Sequence, residues 1–521
     1  MTHRGSHRQG AARFWRGWPA LEPNPGIAPA APSTTGNPAW SYAILALLAV
    51  VSRAQFFGNP ILASDEGFYL LVGDRMLHGA LPYVDIWDRK PIGLFILYAA
   101  MRLLGGDGVL AYQLVGTGFA FATSVLIARI ARSFATSVGA TAAGCAYLIW
   151  LTLGSAAGGQ AELFYGLPVC AAAAITMQGF KDTRPSGLWW RGGIAMLLIG
   201  LAAQIKYNAL FEGMYFGCCW LILGWRSGRR AMLAPYAGFW IVAAVAPTVA
   251  AASYYAFLKQ LDPFLFANFI SIWQRSSAPA GELLERLAII AGILAPLLAC
   301  VRPRLRLVDP AANAAFRFTL WWLAATIASV LAFGTYLEQY LLPIVIPASA
   351  AAAPFFGGGG GARRWKLAAL GAIFLLGQTK LWVTQLSRGS PSELSAIGRE
   401  IDPDKCLFVY SGVAAFYRVA GACIPTRFAF PSHLSRERES QSIGVDTVSE
   451  VNRIMRSRPG TVIVRSPYAG DENWPARAET FRHLRADYRL VLVSKLGWQT
   501  VEVYQLVGQP APPGRVPARG R

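Results

Sequence analysis

Apolar blocks near the length of a bilayer crossing recur along this chain and leave it few folds to choose from. They run over 40–57, 91–104, 109–131, 135–153, 161–179, 190–204, 206–224, 232–257, 284–301, 316–334, 338–355 and 365–383. Inside a bilayer each backbone N–H and C=O must be satisfied within its own segment, so blocks of this kind are helices. Only 15% of the 521 residues are charged while 54% are hydrophobic, which is too apolar for an ordinary water-soluble protein. The expected fold class is a polytopic α-helical membrane protein.

The formal net charge of +20 could point to a nucleic-acid partner. The excess instead sits in the N-terminal tail and in short loops: Arg129/Arg132, Lys181/Arg184/Arg191, Arg226/Arg229/Arg230, Arg302/Arg304/Arg306 and Arg363/Arg364/Lys366. That is the pattern of cytoplasmic loops under the positive-inside rule. No single basic face with interleaved aromatics exists, which argues against nucleic acid. If all these loops and the N-terminus are cytoplasmic, parity requires one early block not to cross. Block 91–104 is the short one. About eleven crossings result, in a predicted range of 11–13 helices, with 58–108, 154–161, 258–283, 335–338 and the region after 384 outside.

Residues 1–39, with Arg4, Arg8, Arg13 and Arg16 and a Pro/Ala/Gly-rich run, read as a disordered cytoplasmic tail rather than a signal peptide, because the first apolar block begins too deep in the chain. The glycine run 357–361 reads as a connector. Residues 388–507 change character. "KCLFVYS" and "TVIVRS" read as buried strands, "TVSEVNRIMRS" as an amphipathic helix between them, and "YRLVLVSKLGWQTVEVYQL" as two strands joined at "KLGW". This predicts a small α/β domain outside the membrane, followed by a disordered tail at 508–521. Five of the seven cysteines fall in apolar blocks. Cys406 and Cys423 do not, and on the outer side they read either as a disulfide or as two unpaired thiols.

The charges in "ASDEGFYLLVGDRMLHGALPYVDIWDRKPIGLF" (63–95) need their own explanation. Asp65, Glu66, Asp85 and Asp88 lie in the first outer loop, beside the membrane. Phe68, Leu71, Val72, Met76 and Leu77 would form the apolar side of a short interfacial helix that also bears Tyr69, Arg75 and His78. A hydrated loop would explain the acids alone. The added "DIWDRKP" places acid and base together before a Pro-initiated helix. A carboxylate and a cation held over the bilayer boundary suit sugar transfer from a lipid phosphate. The carboxylate would take the acceptor's proton, and the cation or a metal would stabilise the departing phosphate.

"DEGFYLLVGDRMLHGALPYVDIWDRKPIG" resembles the first outer loop of the membrane glycosyltransferases of the GT-C fold. The resemblance is to the bacterial branch related to dolichyl-phosphate-mannose:protein mannosyltransferases, which includes lipid A aminoarabinose transferases and lipopolysaccharide-core galacturonosyl transferases. The shared pattern is Asp-Glu, a Tyr three residues on, "ML-x-G", and Lys-Pro opening the next apolar block. It covers roughly 40–385 in architecture and is concentrated in 64–92.

The resemblance implies a GT-C transmembrane domain over 40–385, inverting transfer of a hexosyl or pentosyl group, a polyprenyl-phosphate sugar donor, and a lipid A, glycan or protein acceptor on the periplasmic side of a bacterial inner membrane. It makes Asp65 the catalytic carboxylate with Glu66 beside it, and puts Lys90 near the donor phosphate. Glu162 is the candidate second acid, or else only an acid favoured by a helix N-terminus. Lys206 is a second candidate for the phosphate, or else a snorkelling lysine. Tyr69, Arg75, Asp88, Glu338 and Tyr340 are expected around the donor and acceptor. Some relatives carry His-Tyr where this chain has Glu338-Gln339-Tyr340, and the remaining histidines make no ligand spacing, so a divalent metal stays open. The rival functions are a transporter or flippase of lipid-linked sugars, and a polysaccharide polymerase or ligase.

Overall fold

The computed structural model describes residues 38–156, 158–180, 184–358 and 362–508. The tail expected before Pro38, the tail expected after Gly508, Lys181 and most of the glycine run lie outside the described residues.

Eleven long helices build the bundle: α1 (Pro38–Val51), α4 (Val109–Ala131), α5 (Ser137–Leu153), α6 (Ala161–Gly179), α7 (Pro185–Ala203), α8 (Ala209–Arg226), α9 (Leu233–Phe257), α10 (Ala280–Ala299), α11 (Pro310–Phe333), α12 (Leu342–Gly357) and α13 (Ala362–Arg388). Among the described residues, seven helical spans are long and apolar enough to cross a membrane by themselves; α5, α6, α8 and α10 pack among them. Local sequence sets several boundaries. Thr136 caps α5 through the Gly139 amide, Asp309 caps α11 through the Ala311 and Ala312 amides, and Pro occupies the first turn of α7 and α11.

Two shorter helices lie at one end of the bundle, α2 (Ser64–Leu77) and α3 (Ile92–Arg102). With 11 residues, α3 is about 16 Å long and falls well short of the hydrocarbon thickness. This is the block that charge parity removes from the crossings.

The C-terminal domain follows α14 (Pro391–Gly398). It contains β1 (Leu407–Val409), α15 (Thr447–Arg456), β2 (Thr461–Arg465), α16 (Trp474–Asp487), β3 (Tyr488–Leu496) and β4 (Gln499–Leu506). The strand order is β1-β2-β4-β3. β1 and β2 are parallel, as a crossover carrying α15 requires, and the other neighbours are antiparallel. The β3–β4 hairpin turns at Gly497, whose φ of 58° suits a residue without Cβ. Cys406 and Cys423 form a disulfide, and the Leu407 amide donates to the Cys423 carbonyl beside it.

One expectation is corrected. α2 is not an interfacial helix with one apolar side: Glu66 to Gly73 are buried without interruption. The C-terminal domain packs over α2 and completes this burial. Phe68 packs on Phe430 with ring centroids 5.0 Å apart, and α2, α3 and the sheet domain share one apolar core. Ion pairs from Arg89 to Glu439 (2.6 Å), Arg275 to Glu439 (2.9 Å) and Arg438 to Glu282 tie the domain down further.

Candidate active site

The first turn of α2 carries Asp65, where the helix dipole favours an acid. Lys90 lies on the loop into α3, with its carbonyl accepting from the Tyr83 hydroxyl at 2.8 Å. Glu162 occupies the first turn of α6. Lys206 lies on the turn from α7 to α8, and Tyr340 on the short turn of helix before α12.

Close backbone packing brings these elements together. The Leu94 amide donates to the Gln204 carbonyl at 3.1 Å, and a Cβ at Gly93 would come within 2.6 Å of that carbonyl oxygen. The glycine in "KPIG" therefore lets the Lys90 loop seat against the Lys206 turn.

Glu162 and Lys206 form an ion pair that is almost fully buried, with the residues 4% and 6% exposed. The Lys206 ammonium also lies 3.8 Å from the centre of the Tyr340 ring, a cation–π contact. Asp65 is half-buried and lies within electrostatic reach of Lys90, Glu162 and Lys206. Burial raises its carboxyl above the usual carboxylate range, with Lys90 pulling the other way. Burial alone would lower the Lys90 ammonium, but Tyr340, Asp65, Asp88 and Glu162 together hold it above the ordinary lysine value. A carboxylate thus lies within electrostatic reach of two cations.

Of the remaining expected residues, Tyr69 and Asp88 stay beside the cluster, while Glu338 and Arg75 find partners elsewhere. Tyr69 is buried beside Asp65, edge-on to Tyr98 at 5.5 Å. Asp88 accepts from the Arg89 amide at 2.7 Å and lies 3.9 Å from the buried His433. Its burial lifts it to about 6 against the pull of Lys90. Glu338 turns to Lys380 at 2.6 Å, away from the Lys206 side of its own turn. Arg75 faces an open cavity of about 670 Å³ with Arg427 and Arg453, and donates to the Ala422 carbonyl at 3.2 Å. His78 bonds only its own helix, at the Asp74 carbonyl.

Glu66 keeps different company from Asp65. It lies fully buried against the Gly158-Gly159 backbone, facing Arg53 and Tyr112. These groups surround its oxygens, although none meets strict hydrogen-bond geometry. Burial pushes the Glu66 carboxyl up to about 8, and the Gly159 amide and Arg53 offset this only in part. A carboxyl that holds its proton more tightly when folded stabilises the fold fully below its unfolded value of about 4.5. That contribution fades as pH rises toward about 8. Thermal denaturation of the detergent-purified protein should therefore show a midpoint that falls between these two pH values. Glu66→Gln should flatten the slope. Equal slopes in both proteins would mean that Glu66 is ionised in the native state.

Two residues at the site escape sequence reasoning. Arg53 lies inside the first apolar block, four residues before its end, and its signal is a lone arginine in "VVSRAQFF". Arg388 closes α13 and lies within reach of Asp65; it was masked by the composition change at that point. Among the described residues, no group of three His, Cys, Asp or Glu side chains gathers closely enough to hold a metal ion.

No family model matches the chain, and no curated protein matches it in sequence. Solved structures do match. The crystal structure of ArnT from Cupriavidus metallidurans bound to undecaprenyl phosphate overlaps with a TM-score of 0.60 at 15% identity, over 90% of this chain and 98% of that one. The chain has the GT-C fold. Arabinofuranosyltransferase AftD from Mycobacteria is similar at a TM-score of 0.49 and 13% identity, over 91% of this chain and 42% of that one. The archaeal oligosaccharyltransferase AglB from Archaeoglobus fulgidus, in complex with an inhibitory peptide and a dolichol-phosphate, follows at 0.47 and 10%, over 82% and 69%. In this GT-C chain the candidate cluster lies at the end of the bundle that the sheet domain covers, where α2, α3, the first turn of α6 and the turn from α7 to α8 converge.

Proposed function

We propose that the chain is an integral membrane glycosyltransferase. It moves one sugar from a polyprenyl-phosphate donor to an acceptor hydroxyl on the periplasmic side of a bacterial inner membrane. The observation that carries this reading is the buried meeting of Asp65 with Lys90 and the Glu162–Lys206 pair at the ends of membrane helices. Undecaprenyl phosphate, the lipid in the ArnT structure, belongs to the donor class such a site would take.

The reaction is a single displacement. The Asp65 carboxylate accepts the proton of the acceptor hydroxyl as its oxygen bonds to the anomeric carbon. The bond from that carbon to the phosphate oxygen breaks, and the polyprenyl phosphate leaves with the electron pair. Lys90 and Lys206 meet the charge that develops on the phosphate. Glu162 and the Tyr340 ring hold the Lys206 ammonium in place. One displacement inverts the anomeric centre. The steps above route nothing through a metal.

Undecaprenyl phosphate without a sugar is the direct probe of the lysines. In nanodiscs it should raise the melting temperature of the wild-type protein in a concentration-dependent way. Lys90→Met should weaken that binding by roughly ten- to a hundredfold, the loss of one charged hydrogen bond. An unchanged affinity in Lys90→Met would remove Lys90 from the phosphate site.

A further inference from the structure

We infer that the buried Arg53 and Glu66 are positioning residues: they clamp residues 154–156 and 158–160 and thereby set the Glu162–Lys206 pair against Asp65. This rests on the transferase reading above.

These residues and the neighbouring Leu153 are held by side chains from five separate places in the chain. Arg53, wholly buried at the end of α1, donates from Nε to Thr117 Oγ1 at 3.1 Å, from Nη1 to the Ala156 carbonyl at 3.1 Å, and from Nη2 to the Gly158 carbonyl. Tyr98 of α3 donates to the Gly159 carbonyl at 2.7 Å. Lys380 of α13 donates to the Leu153 carbonyl at 2.6 Å and pairs with Glu338, which accepts from Ser155. Glu66 of α2 closes the remaining side: a Cβ at Gly158 would overlap its carboxyl. Even Gly116 of α4 serves this contact, because a Cβ there would come 2.9 Å from the Gly158 oxygen and 3.1 Å from Arg53 Nη2.

The chain leaves this clamp at Gln160 and enters α6, whose first turn carries Glu162. Asp65 and Glu66 are neighbours on one helical turn, so the clamp ties the reacting carboxylate to the ion pair through one residue. An arginine and a carboxyl buried side by side are poor devices for stability, since well-packed apolar residues of similar volume commonly do as well. What such residues supply is fixed geometry. Displacement of a reacting group by about 1 Å costs on the order of a hundredfold in rate.

The test is single-turnover sugar transfer at varied donor concentration, with melting temperature measured alongside. Glu66→Gln keeps the shape of the wedge and should stay within about tenfold of wild type. Glu66→Ala and Gly158→Ala should each lower the maximal rate by about a hundredfold while the donor KM moves less than about threefold. Tyr98→Phe removes a single hydroxyl and decides the matter if neither of those folds, with an expected loss of about tenfold. Glu66→Gln as inactive as Asp65→Asn would overturn the inference, because Glu66 would then act chemically. Clamp variants within about threefold of wild type would overturn it as well. If the wild-type protein transfers no sugar, the transferase reading itself has failed and takes this inference with it.

Discussion

Asp65→Asn should lower sugar transfer by about 10²- to 10⁴-fold, the range lost when a general base is removed. The substitution keeps the size and planarity of the side chain, so binding of polyprenyl phosphate and the melting temperature should change little. Asp65→Glu keeps the carboxylate but moves it by roughly one bond length, and should retain more activity than Asn while remaining well below wild type. The wild-type rate should also fall as pH drops through the Asp65 titration. That limb lies above the ordinary carboxylate range, because burial raises this carboxyl. Transfer by Asp65→Asn within about tenfold of wild type would exclude a general-base role.

Lys206→Met is the second substitution with a large expected effect, and its first consequence is on folding. It leaves Glu162, 4% exposed, without its cation. Breaking a buried pair from one side typically costs about 3–5 kcal/mol, a large part of the stability of an ordinary domain. Folded yield and melting temperature should both fall sharply. The double variant Glu162→Gln/Lys206→Met removes both charges and should recover most of the folded protein. It should not recover transfer, because the phosphate has then lost a cation. A double variant that folds and transfers at the wild-type rate would reduce the pair to a structural contact.

Much of the fold is visible in the sequence because the bilayer allows so few alternatives. Block length marks the long helices, and basic loops separate the one short block, which is α3, from the rest. The strands of the C-terminal domain follow from "KCLFVYS", "TVIVRS" and the two runs around "KLGW". α16 was missed because its sequence is mostly polar, burying little beyond Ala476, Thr480, His483 and Leu484. The interfacial character expected of α2 failed for a related reason. Local periodicity cannot report that a domain more than 300 residues away folds back over the helix.

At the site, the family resemblance singled out Asp65, Lys90, Glu162 and Tyr340, and a lysine at the boundary of two apolar blocks drew attention to Lys206. The sequence could not show that Glu66 faces the Gly158-Gly159 turn, or that Glu338 is taken up by Lys380. Those outcomes depend on which way neighbouring positions of one turn point. Arg53 was hidden because a single arginine near the end of an apolar block looks like a boundary residue. Its three carbonyl and hydroxyl partners come from positions more than sixty residues distant.

The most direct test of the central claim is donor consumption by the purified wild-type protein in nanodiscs, presented with a panel of polyprenyl-phosphate sugars. Release of polyprenyl phosphate from one donor, with its sugar joined to an added envelope acceptor, is the predicted result and would name the sugar. If every donor remains intact while liposomes containing the protein carry lipid-linked sugars across the bilayer, the chain is a transporter and the Asp65–Lys90 cluster is its substrate gate.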